Sequence, residues 1–365
     1  MIRILHIVPT LGYGGVAKFL LHYYDYIDKS KIQFDFITHG KKESYHDELI
    51  SKGARIFYIK PQHEVGFFSY YKNLVNVVKS VNDDIVHIHL GHHTGMEAAI
   101  CKLVGVKKII CHAHTTKCMN PSHVRFMPLF RFLARKCSTQ LFACGNDAGL
   151  YCFGTKKFTV IPNGVDLDKF KRSSDSEIIE IKRKFNIPEN NKIIGCVAAM
   201  TPPKNHNYLL DVFSKIHNAD NQTILMLVGD GELRSLIEKK IEELNLKDSV
   251  VLTGNQDNIP SFISSFDVFA LTSHHEGLPV VSAEAQALGT KCVFSNNIDH
   301  TCDLGIGIMK FVPIESTNLD DWVKECLTPY DKPSIDDIKK RFVATGYEIK
   351  EGAKRLTNIY LQTLA

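Results

Sequence analysis

Glu276-Gly277-Leu278-Pro279-Val280-Val281-Ser282-Ala283-Glu284 places two carboxylates around a Gly-Leu-Pro bend, with seven residues between them. The segment reads as the start of a helix, with Glu276 ahead of it and Glu284 two turns inside. Unpaired N–H groups at such a start favour an anion such as a diphosphate, and flanking carboxylates accept hydrogen bonds from sugar hydroxyls. A general acid and base acting on one bond is disfavoured, because the attachment points lie roughly 10 Å apart along a helix rising about 1.5 Å per residue. The plain structural alternative is a capping acid followed by a solvated helical Glu.

Three further loops have the composition of an anion-binding rim. Thr201-Pro202-Pro203-Lys204-Asn205-His206 joins a strand to a helix at the carboxyl end of the strand, where open α/β sheets bind ligands, and a Lys there suits a phosphate. Gly229-Asp230-Gly231-Glu232 and Thr253-Gly254-Asn255 repeat the strand-to-turn arrangement after the next two strands. Near the N-terminus, Gly12-Tyr13-Gly14-Gly15-Val16 follows a strand and opens a helix, which marks a phosphate site, a close backbone approach or simply a glycine-rich turn. Its spacing is not G-x-G-x-x-G and no ribose-binding acid follows, so a dehydrogenase-type dinucleotide site is disfavoured.

The elements that must carry these loops alternate between short apolar runs and helical patterns, as in parallel sheets of βαβ units. In the first half the strands are expected at 2–8, 34–38, 55–59, 84–89, 108–113 and 139–143, with helices over 16–26, 67–80 and 96–104. A turn at Pro162-Asn163-Gly164 and a polar stretch through Ser173, Ser174 and Asp175 mark a boundary. The rhythm then restarts, with strands expected at 192–198, 223–228, 249–252, 268–271 and 291–294. The expected division is a Rossmann-like domain over 1–165, a second Rossmann-like domain over 166–345, and a C-terminal amphipathic helix, 346–365, returning to the first domain.

Composition sets outer limits. A chain of 365 residues exceeds what one core usually supports. Its 44% hydrophobic and 23% charged residues are ordinary for a globular protein, and no apolar run approaches the roughly 18 residues needed to span a bilayer. The start of the chain reads as a strand rather than a signal peptide. Ten scattered cysteines without a C-x-x-C pair suit a reducing cytoplasm. Cys111, His112, His114 and Cys118 lie close in sequence, but on a strand His112 and His114 share a face that Cys111 does not, so no metal is expected there. Residues 1–165 carry 21 Lys and Arg against 11 Asp and Glu, net +10, whereas the remainder is net −6. That asymmetry fits a basic half meeting an anionic membrane surface or ligand, or a solvated basic surface.

The Glu276 to Glu284 segment, Lys204, the linker Ile161-Pro162-Asn163-Gly164-Val165-Asp166 and His114 stand in the order found in family 4 of the retaining glycosyltransferases, which the chain resembles over nearly its full length. More narrowly, Lys31-Ile32-Gln33-Phe34-Asp35-Phe36 and Lys204-Asn205-His206 resemble bacterial enzymes of capsular and exopolysaccharide assembly. The resemblance implies an α/β GT-B fold, two facing Rossmann-like domains with a central cleft. It implies transfer of a hexosyl or N-acetylhexosaminyl group, with retention, from a UDP- or GDP-linked donor to a lipid-linked glycan or other sugar acceptor. The resemblance implies that no cofactor and no metal are needed and that nucleic acid is not a partner. The enzyme is expected in the cytoplasm, peripheral to the inner face of the membrane.

By that resemblance Lys204 pairs with the donor diphosphate, Glu276 bonds hydroxyls of the transferred sugar, and Glu284 holds the ribose. Gly277, Leu278, Pro279 and Val280 stand as the donor-binding segment, with backbone N–H groups at all but Pro279. Gly229 and Gly254 belong to the same donor set. His114 joins Glu276 at the reacting centre, and Gly14 and Gly15 admit phosphates and acceptor. Two positions depart from the family. Ala199 stands where an Arg is usual, and Ala17 where the N-terminal G-G-x-E has Glu. Either another cation, with His206 the candidate, replaces the Arg, or turnover is weak or absent. A non-catalytic partner subunit and a nucleotide-sugar epimerase on the same fold are the alternative functions. The D-x-D form Asp166-Leu167-Asp168 sits in the linker and is read as coincidence.

Overall fold

Runs such as Ile4-Leu5-His6-Ile7 and Leu225-Met226-Leu227-Val228 are buried on both faces, as strands covered on both sides must be. In the computed structural model, which describes residues 1–12, 14–116, 124–276 and 278–364, these runs form two parallel sheets. The first holds β1 (Ile2–Ile7), β2 (Ile32–His39), β3 (Ile56–Ile59), β4 (Ile85–Ile88), β5 (Ile109–Ala113), β6 (Gln140–Ala143) and β7 (Thr159–Val160) in the order β3-β2-β1-β4-β5-β6-β7. The second holds β8 (Lys192–Val197), β9 (Thr223–Val228), β10 (Val250–Gly254), β11 (Val268–Leu271), β12 (Lys291–Ser295) and β13 (Met309–Val312) in the order β10-β9-β8-β11-β12-β13. Each sheet reverses its strand order once, between β1 and β4 and between β8 and β11, and crevices for ligands open at such switch points.

The described chain divides into two compact units, Met1–Gly164 with Gly346–Ala365, and Val165–Thr345. In the first unit the period of two along each strand separates two cores. Ile4, Phe34, Phe36, Ile85, Ile110 and Phe142 face one core, and Leu5, Ile7, Ile37, Val86, Ile88 and Cys111 face the other. The helices Gly15–Tyr26 and Ile349–Leu364 cover the first of these faces. Ile349, Ala353, Leu356 and Tyr360 join Phe19, Leu20 and Tyr23 in one buried cluster. Tyr23 donates to the carbonyl of Pro162 at 2.9 Å. Gly164 is required where the chain leaves the unit: a Cβ there would stand 2.7 Å from Ile349 Cδ1 and 3.1 Å from its Cα.

The second unit is a single core around Phe213, Phe269, Phe294 and Trp322. Its edge strand β13 and the helices Leu319–Leu327 and Ile335–Thr345 were not read from the sequence; Met309-Lys310-Phe311-Val312 is short and interrupted by a Lys. No helix among the described residues is long and apolar enough to cross a membrane. The nine described cysteines form no disulfide, and Cys111 is fully buried on β5; Cys118 lies outside the described residues.

Candidate functional site

Lys204 and Glu276 follow β8 and β11, the two strands that flank the switch point of the second sheet. The Pro202–Lys204 turn is held by proline rings that fix φ and by Asn205, left-handed at φ 55. Two bonds tie it to the loop after β11: Thr272 Oγ1 donates to the Asn205 carbonyl at 3.0 Å, and His274 N donates to the Pro203 carbonyl at 2.8 Å. Lys204 Nζ thereby meets Glu276 Oε1 at 2.7 Å, and Ser273 Oγ donates to the same oxygen at 2.6 Å. Both charged side chains are mostly buried, 25% and 13% exposed, so the pair is shielded from water more than a surface ion pair is. An ammonium has three protons, and one given to Glu276 leaves two for an incoming oxyanion.

The pair borders a pocket of about 390 Å³. Ala198, Ala199, Gly229, Asn255, Pro279 and Val280 contribute to its lining. The helix Val280–Ala287 begins at Pro279 without a side-chain cap; Ser282 N donates to the Pro279 carbonyl at 3.1 Å, and the N–H groups of Val280 and Val281 have no partner among the described residues. Opposite, Gly229 N donates to the Gly254 carbonyl at 2.9 Å, which joins the ends of β9 and β10. Gly229 has φ +134, and a Cβ there would stand 2.2 Å from the Ala198 carbonyl oxygen, so only glycine lets this wall close.

Of the residues singled out in the second unit, Lys204, Gly229, Glu276, Pro279 and Val280 line this pocket, and Gly254 adjoins it through Gly229 and Asn255. Leu278 packs against the hydrophobic core. Glu284 is 2% exposed and is not among the lining residues. It lies one turn inside the helix rather than two, because helical geometry begins only at Val280. Gly277 lies outside the described residues. His206 does not replace the missing Arg. It is 3% exposed, and burial, with Lys204 beside it, pushes its pKa down to about 4, so the ring is neutral at pH 7.

In the first unit, Gly14 caps the Gly15–Tyr26 helix with extended backbone, and a Cβ at Gly14 or Gly15 would meet nothing within 4 Å among the described residues. His114 follows β5, half-buried, with its ring stacked on His112 at 4.0 Å. It belongs to a group of five imidazoles, His6 on β1, His87 on β4 with His89 just past its end, and His112 and His114 on and after β5. Burial holds all five neutral: His6 and His114 are pushed down to about 3, and His87, His89 and His112 well below the usual imidazole value. The sequence reading took only His112 and His114 from this group. The pattern that reveals the rest is His-x-His on two adjacent strands, with a single His on the strand beside them.

Comparison with known proteins supplies the family. The family model described as Glycosyltransferase Family 4 matches residues 13–169, and that of Glycosyl transferases group 1 matches residues 177–304. The putative glycosyltransferase EpsF of Bacillus subtilis (strain 168) is 31% identical over 98% of this chain and 96% of its own length. The chain belongs to glycosyltransferase family 4. It is a glycosyltransferase of polysaccharide biosynthesis with the GT-B fold. A glycosyltransferase of Rickettsia africae superposes with a TM-score of 0.81 at 19% identity, covering 100% of this chain and 98% of that one. HepE of Anabaena in complex with UDP superposes with a TM-score of 0.79 at 18% identity, covering 99% of this chain and 100% of that one. In sequence, the UDP-Gal:alpha-D-GlcNAc-diphosphoundecaprenol alpha-1,3-galactosyltransferase of Escherichia coli is 25% identical over 99% of this chain and 97% of its own.

Proposed function

We propose that this glycosyltransferase moves one hexosyl or N-acetylhexosaminyl group from a UDP- or GDP-linked donor to a lipid-linked polysaccharide precursor, with retention and without a metal. The observation that carries the donor half is the Lys204–Glu276 pair beside an uncapped helix start, around a pocket sized for a nucleotide. In this reading Lys204 Nζ and the N–H groups of the helix start hold the diphosphate, and Glu276 accepts bonds from sugar hydroxyls. Glu284, buried within the helix, secures the ribose end. The E. coli relative, whose donor is UDP-Gal and whose acceptor is a sugar on diphosphoundecaprenol, supports the same substrate classes here.

The chemistry breaks the bond from the sugar C1 to the phosphate oxygen, and the nucleoside diphosphate leaves. The acceptor hydroxyl oxygen forms the new bond to C1 on the same face, and its proton passes to an oxygen of the leaving diphosphate. Lys204 stabilises the charge that grows on that diphosphate, a charge-assisted contact worth about 1.5–3 kcal/mol. His114 stands beside the sugar, and Gly14 and Gly15 admit the acceptor. The basic first unit, with exposed Phe68 and Leu103, rests on the anionic cytoplasmic membrane surface. Purified protein incubated with a panel of nucleotide sugars and lipid-diphosphate sugars should release nucleoside diphosphate only when acceptor is present, and should keep doing so in EDTA. Release without any acceptor, with the donor sugar converted, would instead favour an epimerase.

A further inference from the structure

Three of the buried histidines are joined head to tail. His6 Nδ1 lies 3.0 Å from His89 Nε2, and His89 Nδ1 lies 2.9 Å from His114 Nε2. A neutral imidazole donates from one nitrogen and accepts at the other, so such a series has only two directions of donation. The far end decides between them. His6 Nε2 is buried without a hydrogen-bond partner among the described residues, its ring packed on Phe34 and Phe36 with centroids at 4.2 and 5.5 Å. If donation ran from His114 towards His6, that nitrogen would carry a buried N–H with nothing to receive it, the rarer kind of orphan in folded proteins. Donation therefore runs outward, from His6 to His89 and from His89 to His114.

We infer that His6 and His89 are positioning residues that lock His114 in one orientation and in its Nδ1–H tautomer, so that the ring meets substrate as a hydrogen-bond donor. The inference rests on the proposed place of His114 beside the transferred sugar. Its physical content is that a neighbouring hydrogen bond, rather than solvent, chooses which nitrogen carries the proton. Phe19 closes the other side, edge-on to both His112 and His114 at 5.1 and 5.4 Å, which restricts rotation of the rings.

The same rings offer two groups of ligand atoms for a cation, His6 with His87 and His89, and His89 with His112 and His114, each within 4.8 Å of one another. Their orientation argues for the hydrogen-bonded series. His112 and His114 are stacked at 4.0 Å and 29°, and His87 and His89 face one another at 4.2 Å and 33°. Stacked rings direct their in-plane lone pairs side by side, whereas ligands of one metal aim theirs at a common point.

Long-range proton–nitrogen spectra of the full chain labelled with ¹⁵N-histidine read the tautomer directly, with His114→Asn assigning the resonance. The expected result is His114 protonated at Nδ1 in the wild type and in His89→Asn, whose side-chain amide places an N–H where the imidazole Nδ1–H stood. In His89→Gln and His89→Leu the His114 signal should shift to the Nε2–H form or a mixture. In turnover, kcat should fall at least tenfold in His89→Leu and recover substantially in His89→Asn, with the donor KM little changed. A His114 protonated at Nε2 in the wild type would overturn the inference even if the variants failed to fold, as would a tautomer unaltered by all three substitutions. A stoichiometric metal in the purified protein, whose removal shifts His89, His112 and His114 together, would overturn it in favour of a cation site. Full activity in His114→Ala would instead remove His114 from the reaction and leave the spectroscopic result standing.

Discussion

Lowering the pH from 8 to 5 should destabilise the first unit, because four fully buried imidazoles are neutral in the native state and must be free to protonate when the chain unfolds. His6, His87, His89 and His112 are at most 1% exposed, and burial holds each far below its unfolded value. A depressed pKa contributes stability that is complete above the unfolded value of about 6.5 and is lost as pH falls below it. At pH 5 each such group costs about 2 kcal/mol, and the four together about 8 kcal/mol. Asp83 acts in the opposite sense. Burial and the adjacent Asp35 carboxylate raise its pKa to about 7, so its contribution appears as pH falls through 7 and offsets about 2–3 kcal/mol. His93, raised beside Glu97, adds a smaller offset of the same sign. A net loss of about 5 kcal/mol is comparable to the whole stability of many domains.

The single-residue form of the experiment is cleaner. Neither ring nitrogen of His112 has a hydrogen-bond partner among the described residues, so His112→Leu removes two unmet polar atoms at similar volume and should be neutral to stabilising at pH 7.5. At pH 5 the variant should have lost about 2 kcal/mol less than the wild type. Urea unfolding followed by ellipticity reports both units, and fluorescence of the single Trp322 reports the second, so the difference isolates the first. A variant destabilised by more than about 2 kcal/mol at pH 7.5, with the pH dependence of the wild type, would refute the reasoning by showing that these nitrogens are satisfied in solution.

Gly229→Ala should destabilise the second unit by roughly 2–5 kcal/mol in urea unfolding followed at Trp322, since its Cβ would press on the Ala198 carbonyl at a φ of +134. Gly14→Ala and Gly15→Ala should leave stability within about 0.5 kcal/mol, because each Cβ enters open space. Loss of turnover in these stable variants would then report contact with substrate, and retained turnover would take both glycines out of the site. Glu276→Gln should lower kcat by roughly tenfold or more while nucleoside diphosphate still binds, as its carboxylate is assigned to sugar hydroxyls rather than phosphate. Equal weakening of diphosphate binding would reassign it.

The β-branched strand runs, their alternation with helices, and the turn at Pro162-Asn163-Gly164 made the two-sheet architecture legible in the sequence, because parallel strands buried on both faces leave a strong apolar signal. β13 escaped because Lys310 is exposed and the run is four residues long. Lys204 and Glu276 were legible as separate loop residues. Their 2.7 Å contact was not, since it depends on the adjacency of β8 and β11, which lie far apart in sequence. The histidine series was hidden for the same reason: His6, His89 and His114 meet only through the order β1-β4-β5. Glu284 was expected two turns inside the helix that follows Glu276, but Pro279 holds the helix start back to Val280 and leaves Glu284 one turn in.

The central claim is that the pocket bordered by Lys204 and Glu276 holds a nucleoside diphosphate. Calorimetric titration of the intact protein with UDP and with GDP, repeated on Lys204→Ala, tests it without requiring an acceptor. One of the two nucleotides should bind to the wild type, and roughly 10- to 100-fold more weakly to Lys204→Ala, the loss of one charge-assisted contact. Binding of neither nucleotide, or an affinity unchanged by Lys204→Ala, would contradict the account.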